Sequence, residues 1–380
     1  MDFYLNDEQL TLQQMCRNIG IKEIRPVAAK HDRDHTFPKE TVDKLAELGL
    51  MGIYVPSEYG GAGMDFLSYI LAVEEISRYC ASTGVIISAH TSLAIDPIYR
   101  FGTKMQKEKY LPSLALGKNI GCIGLTEPNA GTDVSGIITT ANLDKSKNEW
   151  IINGQKSFIT NGNEAEVCVL FARTDPHPHR GLTAFIVHKQ ESPFVVGKCE
   201  EKMGICASST TSLIFEDCRV PAENVLGEPG LGFKIAMETL NGGRIGIAAQ
   251  ALGIAQAALD DSIQYSKTRK QFDKTLSSFQ AIQWQVADMA TRIEAARLLL
   301  YRAASLKDQG ENYIKESAMA KLYASETATF CAHKAIQIHG GYGYIKEFAV
   351  ERYYRDARIT EIYEGTSEAQ RMVIAKSFLN

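Results

Sequence analysis

Hydrophobic residues change their period twice along this chain, and that double switch limits the fold more than any single motif. From residue 5 to about 118, apolar positions recur at helical spacing, which predicts helices over Leu10–Ile21, Glu40–Leu48, Phe66–Tyr79, Thr83–Phe101 and Lys104–Leu116. Pro38, Pro56 and Tyr59-Gly60-Gly61 break them. Near residue 120 the period shortens toward two, predicting strands over Ile120–Thr126, Ile137–Leu143, Glu149–Thr160, Val167–Arg173, Leu182–His188 and Thr211–Phe215. The hairpin dipeptides Asn153-Gly154 and Asn161-Gly162 suit a small sheet that curls into a barrel or sandwich and ends near Val220-Pro221. From Gly232 the helical period returns, and Phe279, Ile282, Val286, Met289, Ile293, Ala296 and Leu300 form a bundle seam. A second long helix, Lys315–Ile338, follows the loop Lys307-Asp308-Gln309-Gly310, and short C-terminal helices close the bundle. The order α, β, α, with no repeat or low-complexity linker, predicts three blocks packed as one unit.

Composition removes several classes of function. A chain of 380 residues that is 45% hydrophobic and 23% charged, with a net charge of −4 and no block of like charge, has no electrostatic footprint for nucleic acid or an anionic membrane. The most apolar stretch, Ile245–Leu259, is short of a membrane span. The acidic start, Met1 to Gln9, resembles neither a secretory signal nor a transit peptide, so a cytoplasmic or an already processed form is expected. Eight scattered cysteines, none in a Cys-x-x-Cys pair, point to a reducing compartment without zinc.

Four stretches and one loop offer chemistry, each with a plainer alternative. Glu364, in the loop Ile362–Arg371, is either a general base or an acid complementing a helix dipole, because Ser367 with Gln370 has the spacing of a capping box. Glu127–Asp133 is either a ligand loop or a turn, and no GxGxxG or Walker pattern accompanies it. Gln337–Tyr344 suits a diphosphate or a helix C-cap. Arg269-Lys270 can serve a phosphate or the dipole of the helix it ends. Arg244, after Gly242-Gly243 and ahead of the apolar helix from Ile245, must meet an anion, an internal partner or solvent. His177, His179, His333 and His339 have no nucleophile pattern beside them and are structural or surface residues.

Together, Leu125–Asp133, Lys156–Asn161, Gln337–Gly343 and Ile362–Glu368 resemble the acyl-CoA dehydrogenase family over essentially the whole chain, and Arg358–Glu368 with Gly242–Gly246 is most similar to its short-chain, butyryl-CoA-type members. The resemblance implies an α+β multidomain fold: an N-terminal α-helical domain (1–119), a central β-barrel or sandwich domain (120–229) and a C-terminal four-helix bundle (230–380). It implies FAD as cofactor, a homotetramer, and electron transfer to an electron-transferring flavoprotein in a step of fatty-acid β-oxidation. Ile123, Leu125, Thr126, Phe158, Ile159 and Thr160 would surround the flavin, with Thr132 where FAD and substrate meet. Arg269, Gln271, Phe272 and Gln280, with Gln337, Ile338, His339, Gly340 and Gly341, would hold the diphosphate and adenosine across a subunit interface, and Thr366 and Glu368 would complete the site. Asn241, Arg244, Tyr363 and Gly365 would contact the acyl-CoA, and Ile86, Ala89 and Leu93 would face its acyl group. Glu364 would remove the α-proton while the β-hydride passes to flavin N5, giving a trans-2-enoyl-CoA. The developing enolate oxygen would be met by the Glu364 N–H and a flavin hydroxyl. In isovaleryl-type and long-chain relatives the base comes from the position that is Gly243 here, which leaves Glu364.

The chain departs from the family pattern at several points. Asp273 replaces a usual Gly, Thr275 a Pro, Asn241 an Asp, Cys206 an Arg and His339 a Leu, while Asp96 before Pro97 suggests a helix-end acid. Two alternatives share the fold, a dehydrogenase of branched or cyclic acyl-CoA and an acyl-CoA oxidase. A third, of another class, is a CoA-ester-binding protein without flavin.

Overall fold

The helical period of the first block folds as α1 (Asp7–Ile19), α2 (Arg25–Asp34), α3 (Lys39–Glu47), α4 (Phe66–Tyr79), α5 (Ala81–Ala89), α6 (Asp96–Phe101) and α7 (Lys104–Ala115) in a computed structural model that describes residues 4–379. Residues 1–3 of the acidic start lie outside the described residues. Asn6 and Gln9 form a reciprocal capping box that starts α1 three residues before the apolar periodicity becomes visible. α2 has no apolar periodicity in the sequence because its residues are mostly polar, with Ala28 alone buried. The predicted helix Thr83–Phe101 is one helical run, α5 to α6, interrupted by a π-turn at His90–Ile95. His90 in that turn is fully buried, accepts the Gly121 N–H at Nδ1 (3.0 Å) and donates from Nε2 to Leu114 O (3.0 Å), which fixes its tautomer. Burial pushes its pKa down to about 4.

The second block is a sheet of β1 (Ile120–Gly124), β2 (Thr140–Asp144), β3 (Glu149–Thr160), β4 (Ala165–Arg173), β5 (Leu182–His188), β6 (Val195–Cys199), β7 (Thr210–Pro221) and β8 (Val225–Leu226). Its order is β6-β7-β3-β2-β4-β5-β8, with β1 parallel to β4. The halves β6-β7-β3-β2 and β4-β5-β8 join through the single pair Thr140–Arg173, and there the sheet folds back on itself. Cys168, Leu170, Phe185 and Val187 of one half thereby meet Ile152, Ile159, Leu213 and Phe215 of the other, a sandwich core. The opposite face of β4 and β5 carries Val167, Val169, Phe171 and Ile186, and it packs on α7 and on Ile235 and Ala236.

Ile235 and Ala236 belong to α8 (Gly232–Thr268), a 37-residue helix that also contains Asn241–Arg244. The sequence predicts a helix only from Ile245, since two glycines argue against a helix interior. Burial on several sides holds the helix through them. A small ribbon follows, β9 (Lys270–Gln271) with β10 (Lys274–Thr275), then α9 (Gln280–Asp308), α10 (Ile314–His339), α11 (Val350–Ile359) and α12 (Ser367–Leu379). Met289, Ile293, Ala296 and Leu300 of the predicted seam are fully buried. One core cluster runs from α1, α3, α4 and α5 into α8, α9, α10 and α11, so the outer blocks share their interior. Among the described residues, no helix is long and apolar enough to cross a membrane.

Candidate active site

The loop between α11 and α12 turns by backbone bonds from Ile362 and Tyr363 N–H to Ile359 O (2.8 and 3.1 Å) and then enters the left-handed region, with φ of +50° at Glu364 and +93° at Gly365. That conformation costs a glutamate about 1–2 kcal/mol, so contacts elsewhere must hold it. Gln370 Nε2 donates to Glu364 O (3.3 Å) and Gly365 O (2.9 Å), and Lys321 Nζ of α10 donates to Gly365 O (2.7 Å). The Tyr363 hydroxyl donates to Gln250 Oε1 of α8. The expected capping box at Ser367 is absent: Thr366 Oγ1 accepts the Ala369 N–H (3.2 Å), the Ser367 hydroxyl is buried without a partner, and Gln370 is committed to the loop. The Glu364 N–H has no acceptor among the described residues.

Glu364 lies against the middle of α8. Its Oε2 is buried without a hydrogen-bond partner and packs on Gly243, where a Cβ would collide with it and with Leu93. No side chain fits at position 243 while Glu364 occupies this place. Burial pushes the Glu364 pKa up to about 7, partly offset by the cations of Lys321 and Arg244. Arg244 donates to Asn241 Oδ1 at 2.7 Å, and its Nε is buried without a partner. With Asn241 in place of a carboxylate, burial depresses the guanidinium, and Glu364 only partly restores it. A buried acid with an unfilled lone pair beside an incompletely paired arginine leaves room for an anionic or carbonyl-bearing ligand.

In the β domain, Ser157 N–H donates to Thr126 O (2.8 Å), joining the segment of Ile123, Leu125 and Thr126 to that of Phe158, Ile159 and Thr160. A register shift between Lys156 and Ile159 turns Phe158 outward at φ +58° and 67% exposure, while Ile159 stays buried. Beneath them, fully buried Lys156 Nζ donates to Glu127 Oε1 (2.6 Å) and Leu125 O (3.2 Å), and Glu127 also accepts the N–H groups of Ile138 (2.7 Å) and Thr139 (3.0 Å). Thr132 is exposed in the loop that follows. Sequence alone offers Glu127 as part of a ligand loop or a turn, and nothing local marks Lys156 as its partner.

A separate cavity of about 500 Å³ brings Arg269 and Gln271 to Ile338, His339, Gly340 and Gly341, with Tyr265 and Tyr342 on its walls. Gly340 is the C-cap of α10 at φ +60°, and a Cβ at Gly340 or Gly341 would meet nothing within 4 Å. With one cation, two tyrosines and no acidic residue on its wall, the cavity fits a diphosphate with an aromatic base. His339 stacks on Tyr265 at 4.2 Å and donates from Nδ1 to Ala335 O (2.8 Å). Phe272, Gln280, Gln337 and Glu368 point to the exterior, Phe272 at 87% exposure, and Thr366 is partly buried in the loop of Glu364.

Two departures from the family pattern have clear surroundings. Asp96 is not a helix-end acid: it lies within the α5–α6 run, 2% exposed, paired with Lys307 (3.1 Å) and Arg100 (3.6 Å) and accepting from Tyr54 OH (3.3 Å). Cys206 lies 4.0 Å from Arg355, which binds Asp32 and Glu351 at 2.7 Å each.

Family models of the acyl-CoA dehydrogenase N-terminal, middle and C-terminal domains match residues 6–118, 122–218 and 230–379. Fold, site and these matches together define an FAD-dependent oxidoreductase. The chain belongs to the acyl-CoA dehydrogenase family. It is 54% identical over 369 residues to the mitochondrial short-chain specific acyl-CoA dehydrogenase of Mus musculus, covering 97% of this chain and 89% of that one. The structure of butyryl-CoA dehydrogenase from Megasphaera elsdenii matches with a TM-score of 0.98 and 49% identity over 100% of both chains. A chain in the structure of the electron transferring flavoprotein of Acidaminococcus fermentans matches with a TM-score of 0.98 and 51% identity, again over 100% of both.

Proposed function

We propose that this chain dehydrogenates a short-chain acyl-CoA to the trans-2-enoyl-CoA, with Glu364 as the base, and passes the electrons to an electron-transferring flavoprotein. The observation that carries the reading is Glu364 Oε2, buried, unpartnered and seated on Gly243. A carboxylate in water is too weak a base for a thioester α-proton, and burial that brings its pKa to about 7 supplies part of the missing basicity. Oε2 takes the α-proton, and the free Glu364 N–H is placed to donate to the thioester oxygen as negative charge develops there. Arg244 and Asn241 orient the CoA ester, with Leu93 beside its acyl end. The chemistry FAD would supply when bound is that of a hydride acceptor for the β-carbon. Ile123, Leu125, Thr126, Phe158, Ile159 and Thr160 would surround its isoalloxazine ring, with Thr132 at the edge toward the CoA ester, and Thr366 and Glu368 would complete its site. The cavity of Arg269, Gln271 and Ile338–Gly341 would hold its diphosphate and adenosine.

A homotetramer completes the proposal. Phe272, Gln280 and Gln337 serve FAD only if a second subunit covers them, and their exposure supports that arrangement. Domain limits at 119/120 and 229/230 fit the same picture.

The test is anaerobic bleaching of bound flavin across linear, branched and cyclic acyl-CoAs. The expected result is fastest bleaching with butyryl-CoA and its loss in Glu364→Gln, with FAD and ligand binding retained. Fast bleaching in Glu364→Gln would remove Glu364 as base. A protein purified without flavin absorbance that FAD does not restore would overturn the enzymatic reading.

A further inference from the structure

Lys321 occupies a position in the interior of α10 where an apolar residue is expected. It follows Ser317 and precedes Ala324 and Ala328 at helical spacing, all buried, and Lys321 itself is fully buried. A buried ammonium is costly unless its charge and donors are used. Among the described residues its one hydrogen-bond acceptor is Gly365 O, at 2.7 Å, and it forms no ion pair. The carbonyl it holds belongs to the residue after Glu364, within a left-handed pair that needs outside restraint. Gln370 Nε2 converges on the same oxygen at 2.9 Å, but it brings no charge.

We infer that Lys321 is a positioning residue for the base: its ammonium clamps the Gly365 carbonyl to hold Glu364 in place, and its charge offsets the cost of an ionised carboxylate there. The inference rests on Glu364 being the base. Four other groups face Glu364. Arg244 comes from α8 with its Nη1 already engaged by Asn241, and Tyr69 from α4 and Tyr363 from the loop are kept neutral by burial. Gln370 from α12 is uncharged. Lys321 in turn faces Arg244, Glu361 and Glu368. Burial lowers its own pKa to about 8, so the clamp is charged at neutral pH.

The test uses FAD-loaded Lys321→Gln, which keeps a donor without the charge, with Lys321→Met and Lys321→Arg beside it. Two readouts are followed against pH: flavin reduction by butyryl-CoA, and the infrared band of the protonated Glu364 carboxyl, identified by its loss in Glu364→Gln. Loss of a nearby cation should move both midpoints upward by about one unit in the Gln and Met variants. The limiting rate should fall further in Met than in Gln, and Arg should restore the midpoint. Folded Gln and Met variants with unmoved midpoints overturn the inference. A Gln variant that does not fold assigns Lys321 to structure alone and overturns it too. Glu364→Gln that still bleaches flavin sinks the base reading whatever Lys321 does, whereas an inactive Glu364→Gln with unmoved Lys321 midpoints sinks only this inference.

Discussion

Burial acts on Glu364 in two ways, raising its basicity and delaying its ionisation, and both consequences are measurable. With the pKa pushed to about 7, flavin reduction should rise with pH along a limb centred there. The same shift gives a stability prediction. The folded protein holds this proton more tightly than the unfolded chain, so Glu364's contribution is complete below about pH 4.5 and is lost as pH rises through 7. Glu364→Gln has no such titration, so thermal melts above pH 7 should show it more stable than the parent, with the difference vanishing below pH 5. An equal difference at both ends would refute the linkage. Lys156 and Glu127 present the opposite case, a buried pair that closes on itself at 2.6 Å. Lys156→Met strands a carboxylate and should cost about 3–5 kcal/mol in urea denaturation. It should also raise the dissociation constant for FAD, because Leu125 O loses its donor. Neither this pair nor that of Lys321 with Gly365 was visible in the sequence, since the partners lie 29 and 44 positions apart and nothing local links them. A lysine at an interior position of an otherwise small-residue helix was the only signal for Lys321.

At the scale of elements, the ribbon of β9 and β10 shows how a local rule can be broken at a functional place. Its two-residue loop, Phe272-Asp273, has φ of +53° and +60°, the conformation for which Asn-Gly is the usual sequence. Asp tolerates it, whereas Phe is strained, and Phe272 projects beside the cavity of Arg269 and Gln271. Asp273→Gly should therefore raise the thermal midpoint, by up to about 1 kcal/mol of stabilisation. It should also tighten FAD, since a carboxylate leaves the neighbourhood of the diphosphate site; unchanged FAD affinity would place Asp273 outside its field. No hairpin was expected at this ribbon, because Lys-Gln-Phe-Asp-Lys-Thr lacks both turn dipeptides and alternation. The long elements were legible because their apolar runs end at breaking residues. α4, β3 and β5 have the limits the sequence predicts, β3 with buried and exposed positions mixed, α4 and β5 buried on nearly every side. In α8 two adjacent glycines suggest a boundary that packing overrides. The site was legible as a set of matching stretches, but the electrostatics of its base depend on a helix 43 positions away.

Across the whole molecule, the division into three blocks coexists with a shared interior. The core joins α1, α3, α4 and α5 to the bundle, and polar ties cross the same boundary: Asp96 to Lys307, Glu74 to Arg297 (3.0 Å) and Arg78 to Asp260. Asp308, at the end of α9, is the most telling of these. Its carboxylate accepts the N–H groups of Phe66 (2.7 Å) and Leu67 (3.1 Å), two of the orphan donors at the start of α4, while Asp65 accepts that of Ser68 (2.7 Å). A helix of the first block is thus capped by a residue of the third, more than 240 positions later. Asp308→Ala should cost about 1–2 kcal/mol, the loss of a cap whose acceptor is also charged. Hydrogen exchange should then quicken in α4 and in the last turns of α9 together, by the same factor, because the shared core gives neither a separate unfolding equilibrium. Exchange that quickens in α4 while α9 and α10 keep their protection would show the first block opening alone. In that case the bundle would hold Glu364 without the helix that presents Leu93 to it, and flavin reduction should fall before the flavin is released.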